Sequence, residues 1–308
     1  MDLIQLTDNT YHLRAGSNAG LLLRGQRAML VDSGLDRDAA RRILKHVATL
    51  QVELAAILIT HAHADHFGGA GELKRRTGAP VWAPAFEAAV IENPLLEPVY
   101  LFAGAQPPRE LEGKFILAQP CPVDGLLQPG RQEIAGFDVE LIPAPGHAHN
   151  QVMVGAPQES VCFAADAFFP SEVLDKYGIP FYVDIDQTLA TLAALPSLPY
   201  HVFAQGHGDA YTVVAEVAGY NSQRIREIVS HVLAAIAEPS DDSRVLQRTA
   251  DAMGITISQP AIYYLTRTTI HACLHSLRQA GRAELRLVEN RLVWQATGSQ
   301  HSLLGPVS

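Results

Sequence analysis

Along the first third of the chain, apolar residues come in short alternating runs. "TYHLRAG", "AGLLLRG" and "RAMLVDSG" each close on a glycine, the pattern of an antiparallel meander. Residues 36–50, "DRDAARRILKHVATL", change period: Ala40, Ile43, Leu44 and Val47 recur at three and four, which predicts a helix with one buried face. "LAAILIT" is apolar almost throughout and predicts a buried strand, which runs straight into "THAHADHFGG" at residues 60–69. A short helix is expected at 70–77 and a strand at "APVWAP". Residues 84–125 are rich in proline and loop signals and are expected to form a lid. Strands return at "EIAGFDVELIPAPG", "QVMVGAP" and "SVCFAADAFF", followed by a helix at 186–195 and the strand "YHVFAQGHG". Meander, helix and strand thus occur twice, predicting two similar βα halves packed as a sandwich in an α/β (α+β) fold.

From residue 213 the pattern becomes helical. "VVAEVAGYNSQRIREIVSHVLAAIA" predicts a long amphipathic helix leading out of a first domain at 1–212, and "EPSDDS" supplies a break and an N-cap. Helices are expected at 242–253, near 260–265 and at 267–280, then two strands around a Glu289-Asn290 turn. Helix, helix, helix and hairpin make the plan of a winged helix, giving a second unit at 213–308. The tail from Ala296 is small and polar and is expected to fray.

Composition narrows the function classes. The 308 residues are 48% hydrophobic, enough for a large core, and no stretch approaches the roughly 18 apolar residues of a membrane span. "MDLIQLTDNTYHL" lacks the basic head and apolar centre of a signal peptide. Cys121, Cys162 and Cys273 form no CxxC pair, so no disulfide framework is expected and a cytoplasmic location is. Residues 1–220 carry 14 Lys+Arg against 25 Asp+Glu, a net −11, whereas residues 221–308 carry 9 Arg against 7 acids, a net +2. An acidic body repels polyanions at long range, so nucleic acid is not an expected partner.

The chemistry concentrates in residues 60–69. Residues two apart in an extended segment point the same way, so His61 and His63 can face one ion while Asp65 and His66, where the chain turns, face a second. With 13 His in 308 positions, the arrangement HxHxDH would arise by chance in roughly one such chain in a thousand. Further ligands stand at strand ends: His147 in "PAPGHAHN", Asp166 in "FAADAFF" and His207 in "AQGHGDA". Together they complete seven, with Asp166 the carboxylate best placed to bridge two ions. Imidazole with carboxylate suits zinc, and less often iron or manganese.

These segments, with "VDSG" at 31–34, give the chain a resemblance to the metallo-β-lactamase-fold hydrolases over residues 8–212. The resemblance implies an αββα sandwich with the site along one edge of its sheets. It implies His61, His63 and His147 on one metal, Asp65, His66 and His207 on a second, and Asp166 between them. Asp32 matches an aspartate that braces the ligand loops. Two Zn2+ ions would share a water and lower its pKa from about 15.7 towards about 7, with Asp65 orienting it and shuttling its proton.

The chain also departs from the family. Ala148-His149-Asn150 replaces a Thr-Pro-Gly-type turn after His147, leaving His149 as a candidate substrate contact, and Phe169 stands where acyl-homoserine lactonases carry tyrosine. Tyr177, Phe181 and Tyr182 in "DKYGIPFYVD" are candidate pocket walls. The C-terminal segment resembles the winged helix of one branch of these hydrolases, a branch that includes RNA-cleaving members. Between Ser240 and Gln295, however, seven arginines meet five acids, so a packing or homodimerising role is expected rather than DNA reading. The favoured function is hydrolysis of a small thioester or related ester. The alternatives are a nuclease using the same metals and a DNA-binding regulator with a ligand-sensing sandwich.

Overall fold

The computed structural model describes residues 1–298; of the tail expected to fray from Ala296, residues 299–308 lie outside the described residues, whereas Ala296 is the last residue of a strand and its amide donates to the Ile236 carbonyl. Strands β1 (Asp2–Gln5), β2 (Thr10–Arg14), β3 (Ala19–Arg24) and β4 (Arg27–Val31) pair antiparallel in chain order. Helix α1 (Arg37–Thr49), capped by Asp36 accepting from the Asp38 and Ala39 amides, leads to β5 (Glu53–Leu58), which lies parallel to β4. Helices α2 (Ala64–Phe67) and α3 (Ala70–Thr77) precede β6 (Val81–Pro84), and α4 (Ala85–Glu92) and α5 (Leu96–Leu101) precede β7 (Gly125–Leu127), both strands again parallel. The second sheet takes β8 (Gly130–Ile134), β9 (Phe137–Pro143), β10 (Val152–Ala156) and β11 (Val161–Ala165) in antiparallel order. After α6 (Ser171–Tyr177) and α7 (Ile185–Ala194), β12 (Val202–Gln205) joins it parallel to β11.

Strand alternation dictates how these layers stack. Met29 and Val31 on β4 and Ala56 and Leu58 on β5 share one buried cluster with Val139, Val154 and Phe163 of the other sheet. Their neighbours Leu30, Ile57 and Ile59 turn the opposite way, against Ile43 and Val47 of α1 and Leu73 of α3. On the outer face of the second sheet, Met153, Cys162 and Ala164 meet Leu192 of α7 and Val217 and Ile225 of α8 (Val214–Ala235). The result is an αββα sandwich.

The rest of the chain comprises α9 (Asp242–Ala252), α10 (Pro260–Gln279) and the hairpin β13 (Ala283–Val288) with β14 (Arg291–Ala296). Glu289 and Asn290 both take positive φ at its turn, the geometry of a two-residue hairpin loop. No separate core forms here. The cluster on the second sheet continues through Ile228 and Val232 of α8 to Val245, Leu246, Ile270, Leu274 and Ala283.

Two features differ from the sequence reading. The lid segment holds α4 and α5 rather than loop alone, because Pro84 precedes the first helix and Pro98 sits in the first turn of the second, where a missing N–H costs little. The two short helices expected at 260–265 and 267–280 are the single helix α10, since neither glycine nor proline intervenes between Pro260 at its start and Gly281.

The shared cluster makes truncation costly. Removing residues 240–308 should uncover Ile228 and Val232, both essentially buried, and drive the protein into aggregates or a new oligomer on size-exclusion chromatography. A soluble truncation with unchanged elution and native circular dichroism would show that the sandwich closes without this segment.

Candidate metal centre

The chain ends of β5, β11 and β12 and the turn after β9 deliver the predicted ligands to one place. Three overlapping groups have all their ligand atoms within 4.8 Å of one another: His61, His63 and His147; His61, His66 and Asp166; and Asp65, His66 and His207. Asp166 lies between the outer two, with Oδ1 3.4 Å from His66 Nε2 and Oδ2 3.3 Å from His147 Nε2 and 3.4 Å from His207 Nε2. Asp65 Oδ2 is 3.6 Å from His207 Nε2 and 3.9 Å from His66 Nε2.

The far side of most rings is spoken for, and that assigns their tautomers. His147 Nδ1 lies 2.9 Å from the Phe181 carbonyl and His207 Nδ1 2.7 Å from the Gly16 carbonyl. Carbonyls only accept, so each Nδ1 carries a proton and each Nε2 is the nitrogen turned inward, the one a metal would take. His66 Nδ1 is 2.9 Å from Asp32 Oδ2, with the same consequence. The Thr60 hydroxyl donates to Asp32 and therefore accepts from His61 Nδ1 at 3.0 Å, freeing His61 Nε2 as well. His63 differs in turning Nδ1 inward, 2.8 Å from His147 Nε2.

These residues fit a transition metal on the evidence of their own unsatisfied atoms. His61 Nε2, His66 Nε2 and Asp166 Oδ1 are buried without a hydrogen-bond partner, a state that folded proteins rarely leave uncompensated. The inward nitrogens of His63 and His147 likewise need a proton or a cation between them. The backbone is strained to make this arrangement. Asp32 has φ of 61° and Ala165, just before Asp166, has φ of 48°, beside an irregularity in the β11–β12 register. Gly206 packs so closely that a Cβ there would overlap Asp166 Oδ1 and crowd the His66 ring.

Electrostatics divide the ligands into two kinds. Burial drives His61, His63 and His147 below the usual imidazole range, so they are neutral donors. Burial also acts on His66 and His207, but the carboxylates around them outweigh it, chiefly Asp166 with Asp65. His66 is raised well above its ordinary value and His207 is pushed up to about 9. Asp166 is held well below the carboxylate range: burial opposes this, but His207 and His66 prevail.

Aromatic rings wall the cluster. Phe169 lies 5.4 Å from His147 and 6.1 Å from His207, and Phe181 lies 5.2 Å from His63, between ring centroids. Of the candidate substrate residues, His149 is exposed beside the cluster, with Phe86 5.0 Å away. Tyr182 is buried in the cluster on the second sheet's outer face, so Phe181 rather than Tyr182 presents its ring to the histidines. Tyr177 is 54% exposed on α6 beneath the Lys176 ammonium, and no hydrogen bond or ring contact among the described residues joins it to the centre.

Three supporting groups were missed in the sequence. Glu87 on α4 is buried and accepts from the Ala62 and Asn150 amides at 2.9 and 2.8 Å, tying both ligand loops to the lid. Glu97 on α5 is buried, and burial, reinforced by the nearby Asp65 and Glu87, raises it well above the carboxylate range. Each is a single acid in an apolar helical stretch, which was the available signal. Thr269 on α10 accepts from the Tyr182 amide at 2.9 Å and donates to the Pro180 carbonyl at 2.8 Å, fixing the segment that carries Phe181. Nothing in the sequence pairs it with that segment.

Residues 13–207 match the metallo-beta-lactamase superfamily. The chain belongs to that superfamily. A hydroxyacylglutathione hydrolase of Dechloromonas aromatica is 32% identical over 178 residues, covering 57% of this chain and 52% of that protein. An atrochrysone carboxyl ACP thioesterase of Aspergillus chevalieri is 25% identical over 248 residues, 77% of this chain and 68% of its own. The chain spans about half the length of the Dechloromonas hydrolase and of a second hydroxyacylglutathione hydrolase, from Albidiferax ferrireducens. Among solved structures, a metallo-beta-lactamase family protein of Thermus thermophilus shares the fold with a TM-score of 0.73 at 20% identity, over 95% of this chain and 100% of that one.

Metal must displace the protons that His66 and His207 hold at neutral pH. Loading the metal-free protein at pH 7 should therefore release about two protons, read by titration calorimetry in buffers of different ionisation enthalpy. The share that His207 contributes, about one of the two, should disappear as pH rises past about 9. A pH-independent heat would contradict the protonation assigned to these two rings.

Proposed function

We propose that the protein is a metal-dependent hydrolase of small thioesters, with residues 1–212 as the catalytic unit and 213–308 as a packing unit against it. The observation that carries this reading is the overlap of three ligand groups through His61 and His66, with the Asp166 carboxylate between them. His61, His63 and His147 would hold one divalent cation, Asp65, His66 and His207 a second, and Asp166 both. Zinc suits this donor set best. Bound there, such a pair would polarise a carbonyl and lower the pKa of water.

The chain's own residues supply the rest. Asp65, its side chain 27% exposed, is the one carboxylate of the cluster open to solvent and orients the attacking water and takes its proton. Its backbone is fixed by the Ser17 hydroxyl, which donates to the Asp65 carbonyl at 2.7 Å. Phe169 and Phe181 keep the histidine side of the site dry, which strengthens each charge interaction within it.

Thioesters are favoured over phosphodiesters by charge and by kinship. Residues 1–220 are net −11, from 14 basic and 25 acidic side chains. The arginines of the C-terminal segment are largely engaged within the chain: Arg267 on the Leu101 carbonyl, Arg248 on the Ala235 carbonyl, Arg291 on Asp241. The named activities of two relatives, on a glutathione thioester and an acyl carrier protein thioester, lend further support.

Asp65→Asn should lower kcat on a reactive thioester at least about 100-fold while leaving most of the metal in place, because an amide coordinates weakly but accepts no proton. Near-wild-type turnover with full metal would remove Asp65 from the mechanism. Asp166→Ala should sharply lower metal content from close to two equivalents, measured by elemental mass spectrometry. A wild type with at most one equivalent and an unchanged mutant would overturn the paired-metal reading.

A further inference from the structure

Helices α4 and α5 leave an open groove between them that the metal centre does not use. Phe86, Ala89 and Val90 line one side and Leu96, Val99 and Tyr100 the other, around a volume of about 570 Å3. That lies within the usual range of small-molecule sites. No charged side chain lines it, and three of its walls are substantially exposed: Phe86 at 51%, Leu96 at 43% and Tyr100 at 41%. The nearby acid Glu87 turns inward, to the Ala62 and Asn150 amides.

The groove shares a wall with the site. Phe86, Val90 and Tyr100 also line a narrow crevice of about 20 Å3, which Glu87 borders and whose inner wall is His63, Ala148 and His149. Phe86 and Tyr100 form the neck, and rotating the half-exposed Phe86 ring would widen it. A chain lying in the groove would thus point one end at the metal-facing histidine His63.

We propose that this groove binds the apolar acyl chain of the substrate, which makes the substrate class a fatty-acyl thioester with its carbonyl at the His63 end. The inference rests on the thioesterase reading above and deepens it. A thioester has two arms, and the groove discriminates between them. A peptide-like or pantetheine-like thiol arm carries amides that would lose their hydration among these side chains with nothing to bond in return. An alkyl chain gains by the same transfer. The polar thiol arm is left on the solvent side, where His149 is exposed and Asp65 partly so.

The test is a chain-length series of N-acetylcysteamine thioesters, from acetyl to dodecanoyl, on the zinc-loaded protein. We expect kcat/KM to climb about two- to fourfold per methylene until the groove is full. Ala89→Trp, at an exposed groove position, should cut the decanoyl-to-acetyl ratio of kcat/KM at least tenfold. Calorimetric titration with dodecanoate gives an independent readout: binding to the wild type, lost in Ala89→Trp. Hydrolysis that ignores chain length, with no dodecanoate binding, overturns the groove assignment and leaves the thioesterase reading standing. No hydrolysis of any thioester, with dodecanoate bound by the wild type and not by the mutant, sinks the thioesterase reading and keeps the groove as an acyl site. A wild-type dimer that Ala89→Trp dissociates in sedimentation velocity would make the groove an interface between copies and overturn the proposal.

Discussion

Asp32 sits buried between the turn after β4 and the turn after β5, accepting from the Thr60 amide at 2.8 Å, from the Thr60 hydroxyl and from His66 Nδ1. Burying a carboxylate is expensive unless every lone pair finds a donor, and these donors offset the cost. Their arrangement also propagates. Asp32 orients His66 directly and His61 through the Thr60 hydroxyl, so two Nε2 atoms face the centre because one carboxylate lies behind it. Without that negative charge the threonine proton would be free to turn towards His61, and the ring nitrogen facing the centre would become a donor. The positive φ of Asp32 is part of the same device, a conformation that aspartate tolerates better than most residues.

The remaining ligands are held by scaffolds of a different kind, and these reach across the whole chain. His207 leans on the Gly16 carbonyl of the first sheet, and His147 leans on the Phe181 carbonyl of a segment pinned by Thr269. Arg267 of the same helix donates to the Leu101 carbonyl at the end of α5. One helix of the C-terminal segment therefore steadies both the lid and the aromatic wall. That contact pattern accounts for the continuous core between sandwich and C-terminal helices better than a merely tethered module would.

Much of this was legible in the sequence for an identifiable reason. His61, His63, Asp65 and His66 are neighbours in the chain, so their convergence needs only the local geometry of a strand running into a turn. His147, Asp166 and His207 were visible because glycines or strand ends flank them. The sandwich followed from the repeated order of meander, helix and strand. What escaped the sequence depends on contacts between distant segments. Glu87 reads as a surface residue of α4 until Ala62 and Asn150 are seen to donate to it. The choice between Phe181 and Tyr182 is one of register in a short extended segment, and Thr269 on α10 anchors that register. Helix α10 runs unbroken through Thr266, Thr268 and Thr269, residues of weak helix propensity, because tertiary packing of Thr266 and Thr269 overrides it.

The Thr269 bridge has a consequence for the protein's birth. Thr269 leaves the ribosome 87 residues after Tyr182, the residue whose amide it accepts. At about 5–20 residues per second, the wall beside His147 stays unanchored for roughly 4–17 s after it is made. During that interval the four ligands of residues 61–66 are already outside the exit tunnel, offering an open, partial chelate to whichever cation is abundant. The full set of ligands around His147 is therefore held in place only once α10 has been made.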